Sequence, residues 1–125
     1  MGDARHDLGI VAERAVGAWL EKSGWHVLGR RTRSAGGGEV DLVALDPRGV
    51  LVGIEVRARR TPRAGDGSES IDERRTERIG RTLVAFAAEG RIRHRGLRID
   101  LVSVMPEPPP ATRWRLRRTP NIGSR

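Results

Sequence analysis

The tetrapeptide Asp46-Pro47-Arg48-Gly49, set between two runs of aliphatic and β-branched residues, constrains this chain more than any other segment. Proline presets φ at the first corner and glycine closes the loop in the left-handed region, the chemistry of a type I hairpin turn. A three-residue loop of Pro47, Arg48 and Gly49 makes Asp46 face Val50; counting back sets Asp41 opposite Glu55 and Glu39 opposite Arg57. Directly opposed residues in a hairpin project from one face of the sheet. A two-residue loop would instead oppose Asp41 to Ile54 and split the two acids between faces. Any joint chemistry of the carboxylates therefore depends on this turn.

Strand patterning favours the three-residue loop. Val50, Val52, Ile54, Val56 and Ala58 share one face, and Leu51, Gly53, Glu55, Arg57 and Arg59 share the other. The first face is core. The second begins apolar and turns ionic, and its partner strand runs Leu45, Val43, Asp41, Glu39 in the same sense. Like charges set opposite each other destabilise a hairpin unless something neutralises them. A divalent cation would do so, and so would Arg57. The plain alternative is a salt-bridged polar patch at a sheet edge.

A chain of 125 residues makes one domain, expected over residues 1–119, with residues 120–125 expected to fray. The formal charge of +8 and a pI near 11.6 point to a polyanionic partner, nucleic acid before anionic membrane. Of the 24 basic residues all but Lys22 are arginine, a bias that reads as coding composition, so single arginines carry little weight. The absence of cysteine excludes disulfides and thiolate metal sites. With no signal-like start and no membrane-length apolar run, the expected location is the cytoplasm. His6, His26 and His94 lack metal-ligand spacing.

Residues 4–23 predict a helix with Leu8, Ala12, Ala15 and Trp19 on its apolar stripe, stopped at Gly24. A strand is expected over 25–33, a flexible connection over 34–38, the hairpin over 39–59 and a mobile basic loop over 60–69. Ser70 and Glu73 have capping-box spacing and open a helix to about Glu89, with Ile71, Ile79, Leu83 and Phe86 as its stripe. Strand signals return at 97–105, a proline-stiffened loop at 106–110, and a short edge strand around Trp114. The order αβββαββ implies an α/β domain with a mixed sheet flanked by helices.

Gly38-Glu39-Val40-Asp41-Leu42-Val43-Ala44 followed by Leu51-Val52-Gly53-Ile54-Glu55-Val56-Arg57-Ala58-Arg59 resembles the YraN-like family of small bacterial proteins. That family is similar to PD-(D/E)xK nucleases and especially to archaeal Holliday-junction resolvases. Gly9 and Glu13 match a Gly-x-x-x-Glu element, and Arg98-Ile99-Asp100-Leu101-Val102 fits the fourth strand, so the likeness runs to about Trp114. It implies a restriction-endonuclease-like core in which Asp41 and Glu55 hold Mg²⁺ (or Mn²⁺), with the Val56 carbonyl and Glu13 completing the site. Hard magnesium takes one or two carboxylates plus substrate phosphate, and such an ion activates water for attack on a phosphodiester. The resemblance implies a metal-dependent nuclease acting on DNA, with branched or junction DNA as the substrate. The resolvases act as dimers, so the resemblance allows a homodimer.

Two positions depart from the pattern. Val40 stands where the motif has proline, and Arg57 where it has lysine. Arginine cannot act as a general base but can stabilise phosphate charge through two donors. Glu39 would position Arg57 across the hairpin. Arg74, Arg78 and Arg81 fall on one face of the second helix with Arg75 adjacent, and with Arg59 and Arg60 they would hold a phosphate backbone. A solvated face, with Glu77 pairing Arg81 and Asp72 pairing Arg75, is the alternative for each single arginine. Base-stacking aromatics are too few for single-strand recognition. The rival functions are a non-catalytic nucleic-acid-binding module disabled at Arg57, and a basic scaffold for a protein or an anionic membrane surface.

Overall fold

The computed structural model describes residues 4–35, 37–58, 72–107 and 113–122. Helix α1 (Ala4–Lys22) leads into β1 (His26–Thr32), β2 (Val40–Leu45) and β3 (Leu51–Ala58); α2 (Glu73–Glu89) then precedes β4 (Leu97–Pro106) and β5 (Trp114–Thr119). The strands lie in the order β1-β2-β3-β4-β5, antiparallel throughout except for β3 beside β4. This is the expected αβββαββ order of a restriction-endonuclease-like α/β fold.

The turn closes as the three-residue loop. Asp46 N–H donates to Val50 O at 2.9 Å and Gly49 N–H to Asp46 O at 3.0 Å, with Gly49 at φ +90°. That backbone angle is one that glycine alone adopts cheaply. Asp46 Oδ1 also accepts the Arg48 and Val50 N–H groups at 2.9 and 3.0 Å, bracing the loop from inside. The register that follows pairs Leu45 with Leu51, Ala44 with Val52, Val43 with Gly53 and Leu42 with Ile54.

Both faces of the sheet are covered. On one, Ala12, Val16 and Leu20 of α1 pack on Leu42, Ala44, Val52, Ile54, Val102 and Val104. On the other, Ile79, Leu83 and Ala87 of α2 pack on Val40, Val43, Leu51 and Ile99. The helix ends are tied by short bonds. Trp25 N–H reaches Leu20 O at 3.0 Å and Gly24 N–H reaches Glu21 O at 3.2 Å, a Schellman ending that turns Trp25 into the core. At the start of α2 the cap is Asp72, whose carboxylate accepts the Arg74 N–H at 2.9 Å. The expected cap, Ser70, lies outside the described residues, and the helix begins after Asp72 because a short acid there reaches the free N–H groups directly.

Asp100 of β4 is fully buried and richly satisfied. Arg98 forks onto it at 2.9 and 3.2 Å, Arg118 of β5 donates at 2.8 Å and the Asn121 N–H at 2.9 Å. Arg98 also bridges to Asp46 at 3.0 Å, and both arginines lie over the Trp25 ring, at 5.9 Å for Arg98 and 5.4 Å for Arg118. Within the segment expected to fray, Asn121 and Ile122 make contacts with β4. Asn121 is bound to Asp100, Ile122 N–H donates to Ile99 O at 2.9 Å, and the Ile122 side chain packs beneath α2.

The sheet ends on β1 at one side and β5 at the other, and arginine lines both edges: Arg30 and Arg31, then Arg115, Arg117 and Arg118, all exposed. Among the described residues no helix is long and apolar enough to cross a membrane.

Candidate active site

Asp41 and Glu55 come together where β2 and β3 part. Because Asp46 and Val50 form a hydrogen-bonded pair, the alternation of an antiparallel ladder would next bond Val56 N–H to the Val40 carbonyl. Instead the register ends at Leu42 with Ile54, and Val56 N–H donates to Asp41 Oδ2 at 2.8 Å. The carboxylate replaces a main-chain acceptor, so the strands separate without leaving the Val56 amide unpaired. In a pleated strand a residue's N–H and C=O leave on the same side, so the Val56 carbonyl also faces this gap.

Glu55 reaches the gap from β3 and is nearly fully buried. What meets it comes from α2. A Cβ on Gly53 would stand 3.2 Å from Ile79 Cγ2, so this glycine lets α2 lie close against β3. Arg75 is one helical turn before Ile79 on the same face. The seat that holds Ile79 on Gly53 thus delivers Arg75 to Glu55, two residues further along the strand. Arg75 Nε donates to Glu55 Oε2 and Nη2 donates to Oε1 at 2.9 Å, a two-pronged fork. The pairing of Asp72 with Arg75 suggested by helical spacing gives way to this contact, and Asp72 caps the helix instead.

Asp41 and Glu55 lie close enough for each to act on the other's proton affinity. Burial pushes Asp41 up to about 8, helped by its hydrogen bond and like-charge repulsion with Glu55 and opposed by the Val56 N–H. Burial would raise Glu55 too, but the Arg75 fork, the hydrogen bond with Asp41 and the charges of Arg75 and Arg57 hold it below its ordinary value. The two shifts run in opposite directions, the pattern expected of two acids that share a site.

The other expected residues divide. Glu13 adds its negative charge to Asp41's surroundings, yet its carboxylate is ion-paired to Arg31 at 3.1 Å. Among the described residues no group of three or more His, Cys, Asp or Glu side chains assembles as a metal cluster, so the contact is between two acids. Glu39 precedes β2 and accepts Arg33 Nε and Nη2 at 3.0 and 2.7 Å. Arg57 sits beside Ser103 of β4, its charge felt at Glu55. Arg74, Arg78 and Arg81 are exposed along α2, whereas Arg75 turns inward. Arg59 and Arg60 lie outside the described residues.

The segment before β2, expected as a flexible connection, is docked. Thr82, buried on α2, donates to Gly38 O at 2.7 Å and accepts from Ser34 Oγ at 3.1 Å. Gly38 N–H also reaches Arg78 O at 3.5 Å. This anchors the approach to Asp41, three residues on. The available signal was a threonine inside an apolar helix stripe between Ile79 and Leu83. A groove of about 850 Å³ between α2 and β4, lined by Val84, Leu97 and Asn121 among others, includes neither acid. The chemistry of ionisable groups, rather than cavity volume, marks the site.

Residues 12–104 match the family described as Uncharacterised protein family UPF0102. The chain belongs to that family. UPF0102 is a bacterial family grouped with the PD-(D/E)xK and YraN-like proteins, in agreement with the strand motif. A UPF0102 protein of Anaeromyxobacter dehalogenans is 38% identical over 107 residues, covering 82% of this chain and 75% of the relative. One from Trichlorobacter lovleyi is 30% identical over 105 residues, covering 84% and 82% respectively. A third, from Halorhodospira halophila, is 38% identical over 96 residues, covering 76% and 74%. Family and fold together relate UPF0102 to the PD-(D/E)xK-like nucleases.

Proposed function

We propose that this chain is a divalent-metal-dependent phosphodiesterase acting on DNA, with branched or junction DNA as the favoured substrate. The observation that carries the reading is the convergence of Asp41 and Glu55 where β2 and β3 part, Asp41 held by the Val56 N–H and Glu55 by the Arg75 fork. A divalent cation would offset the repulsion between the two acids. The donor set fits Mg²⁺ or Mn²⁺, which accept one or two protein carboxylates and fill the remaining positions with water and phosphate oxygen. The Val56 carbonyl, on the same side of β3, is available as a further oxygen. When bound, the ion supplies a nucleophilic water and shields charge on the phosphate.

The chain's own residues do the rest. Arg57 stands next to Glu55 on the ionic run of β3 and stabilises negative charge on the phosphate; permanently protonated, it takes no part as a base. Exposed Arg74, Arg78 and Arg81 hold the backbone of the nucleic acid, with Arg59 and Arg60 on the adjoining segment. Such contacts confer affinity and salt dependence without reading sequence. Glu13, paired with Arg31, adds its negative charge at Asp41, and Glu39, paired with Arg33, acts on Arg75.

The test is cleavage of end-labelled duplex, flap and four-way-junction DNA with Mg²⁺ or Mn²⁺, beside Asp41→Ala. Metal-dependent cutting that disappears in the variant is the expected result. Salt-sensitive binding by both proteins with no cutting by either would make the chain a binding module on a nuclease fold.

A further inference from the structure

We propose that Arg75 is the protein's own occupant of the cation position at Glu55, and that its fork swings off the carboxylate when a divalent ion enters, becoming a ligand for the substrate phosphate. The inference rests on the metal-dependent reading given above.

Both oxygens of Glu55 accept from Arg75, one from Nε and the other from Nη2. A guanidinium fork placed this way uses the in-plane lone pairs through which a carboxylate would grip a hard cation. Glu55 cannot turn elsewhere, since its side chain is 6% exposed, whereas that of Arg75 is 41% exposed and has solvent to move into. The arginine is thus the mobile partner and the acid the fixed one. Fork and ion are alternatives at the same oxygens.

The surroundings give Arg75 a reason to stay and a place to go. Glu55 and Glu39 both act on it as negative charges. In the cation-free protein the positive fork offsets the negative charge of Glu55. A divalent ion takes over that role and repels the guanidinium as well. Arg75 then lies on the first turns of α2 beside exposed Arg74 and Arg78, where its planar donors match two oxygens of a phosphate. A phosphate that draws the fork away frees Glu55, so ion and nucleic acid strengthen each other's binding by the same factor.

The test follows two nuclei in the intact chain during a Mg²⁺ titration by ¹H–¹⁵N NMR. The Arg75 Nε–Hε resonance, identified by its loss in Arg75→Lys, reports the fork. The Val56 backbone amide, bonded to Asp41, reports arrival of the ion. Expected is a shared midpoint, with the Nε–Hε signal moving to the position of exposed arginines as the amide shifts. An amide that shifts while Nε–Hε stays fixed would overturn the proposal and leave the metal site standing. If neither responds to millimolar Mg²⁺, the metal reading falls and takes this inference with it. Mn²⁺ affinity, read by EPR of the free ion, adds an independent arm. A fork in place nine-tenths of the time weakens apparent affinity about tenfold, so Arg75→Gln should bind Mn²⁺ about tenfold more tightly. Equal or weaker binding by the folded variant would contradict the proposal. Should that variant fail to fold, the titration of the unaltered chain decides.

Discussion

Asp41→Asn is expected to stabilise the metal-free protein at alkaline pH and to change it little at pH 5. In the folded chain Asp41 is raised from the ordinary 3.8 to about 8. The native state therefore holds its proton more tightly than the unfolded chain does between those values. The associated stability is complete below 3.8 and is lost as pH rises through about 8. At about 1.4 kcal/mol per tenfold, the whole span sets a ceiling near ~6 kcal/mol. Glu55 moves in the opposite direction, so the net loss by pH 9 falls short of that ceiling. Asparagine keeps the shape, can accept the Val56 N–H with its carbonyl and donate to Glu55 with its amide, and does not titrate. Guanidinium unfolding of both proteins in EDTA at pH 5, 7 and 9 measures the difference. The gap should open in favour of the variant as pH rises, and saturating Mg²⁺ should close it by stabilising the unaltered chain. A variant less stable than the parent at pH 9, or a gap independent of pH, would refute the raised proton affinity of Asp41.

Thr82→Val leaves the Gly38 carbonyl without its donor, and should destabilise by about 1–3 kcal/mol in thermal unfolding while also lowering cleavage through the loosened approach to Asp41. Gly53→Ala brings a methyl against Ile79; the expected penalty is about 1–3 kcal/mol, with a weaker Arg75 fork visible as faster Nε–Hε exchange. Asp100→Ala removes a fully buried carboxylate and strips Arg98 and Arg118 of their common acceptor, and denaturant titration should show a loss of about 3–5 kcal/mol. Arg57→Lys keeps the positive charge, so kcat should stay within about tenfold of the parent; a gain of about 100-fold would identify a nuclease disabled at that position.

The pairing of Asp41 with Glu55 was legible because a single turn decided it. Gly49 and Pro47 admit few loop geometries, and a loop of known length sets the register as far as Leu42 with Ile54, one residue short of the two acids. The helix stripes and the αβββαββ order were legible for a similar reason, since period and punctuation are local. Arg75 shows where that reasoning stops. Its sequence neighbours offered Asp72 as a partner at helical spacing, and only the seating of α2 on Gly53 reveals Glu55, twenty residues earlier. Likewise Asp100 read as one acid in an apolar strand, because its partners Arg98, Arg118 and Asn121 converge from different segments. The glycine run at 36–38 suggested looseness, since nothing in its own composition announces that Thr82 will hold Gly38. Contacts made across the fold leave no periodic trace.

The arginines on the outer strands bear on quaternary structure. An open sheet invites a second copy to continue it, strand beside strand, at whichever edge is bare. Here either continuation of like edges would set Arg30 and Arg31, or Arg115 and Arg117, against the same residues of the other copy. Like charges so juxtaposed disfavour the pairing. A homodimer of this protein would accordingly be built on helix or loop surfaces, leaving each sheet to end within its own chain.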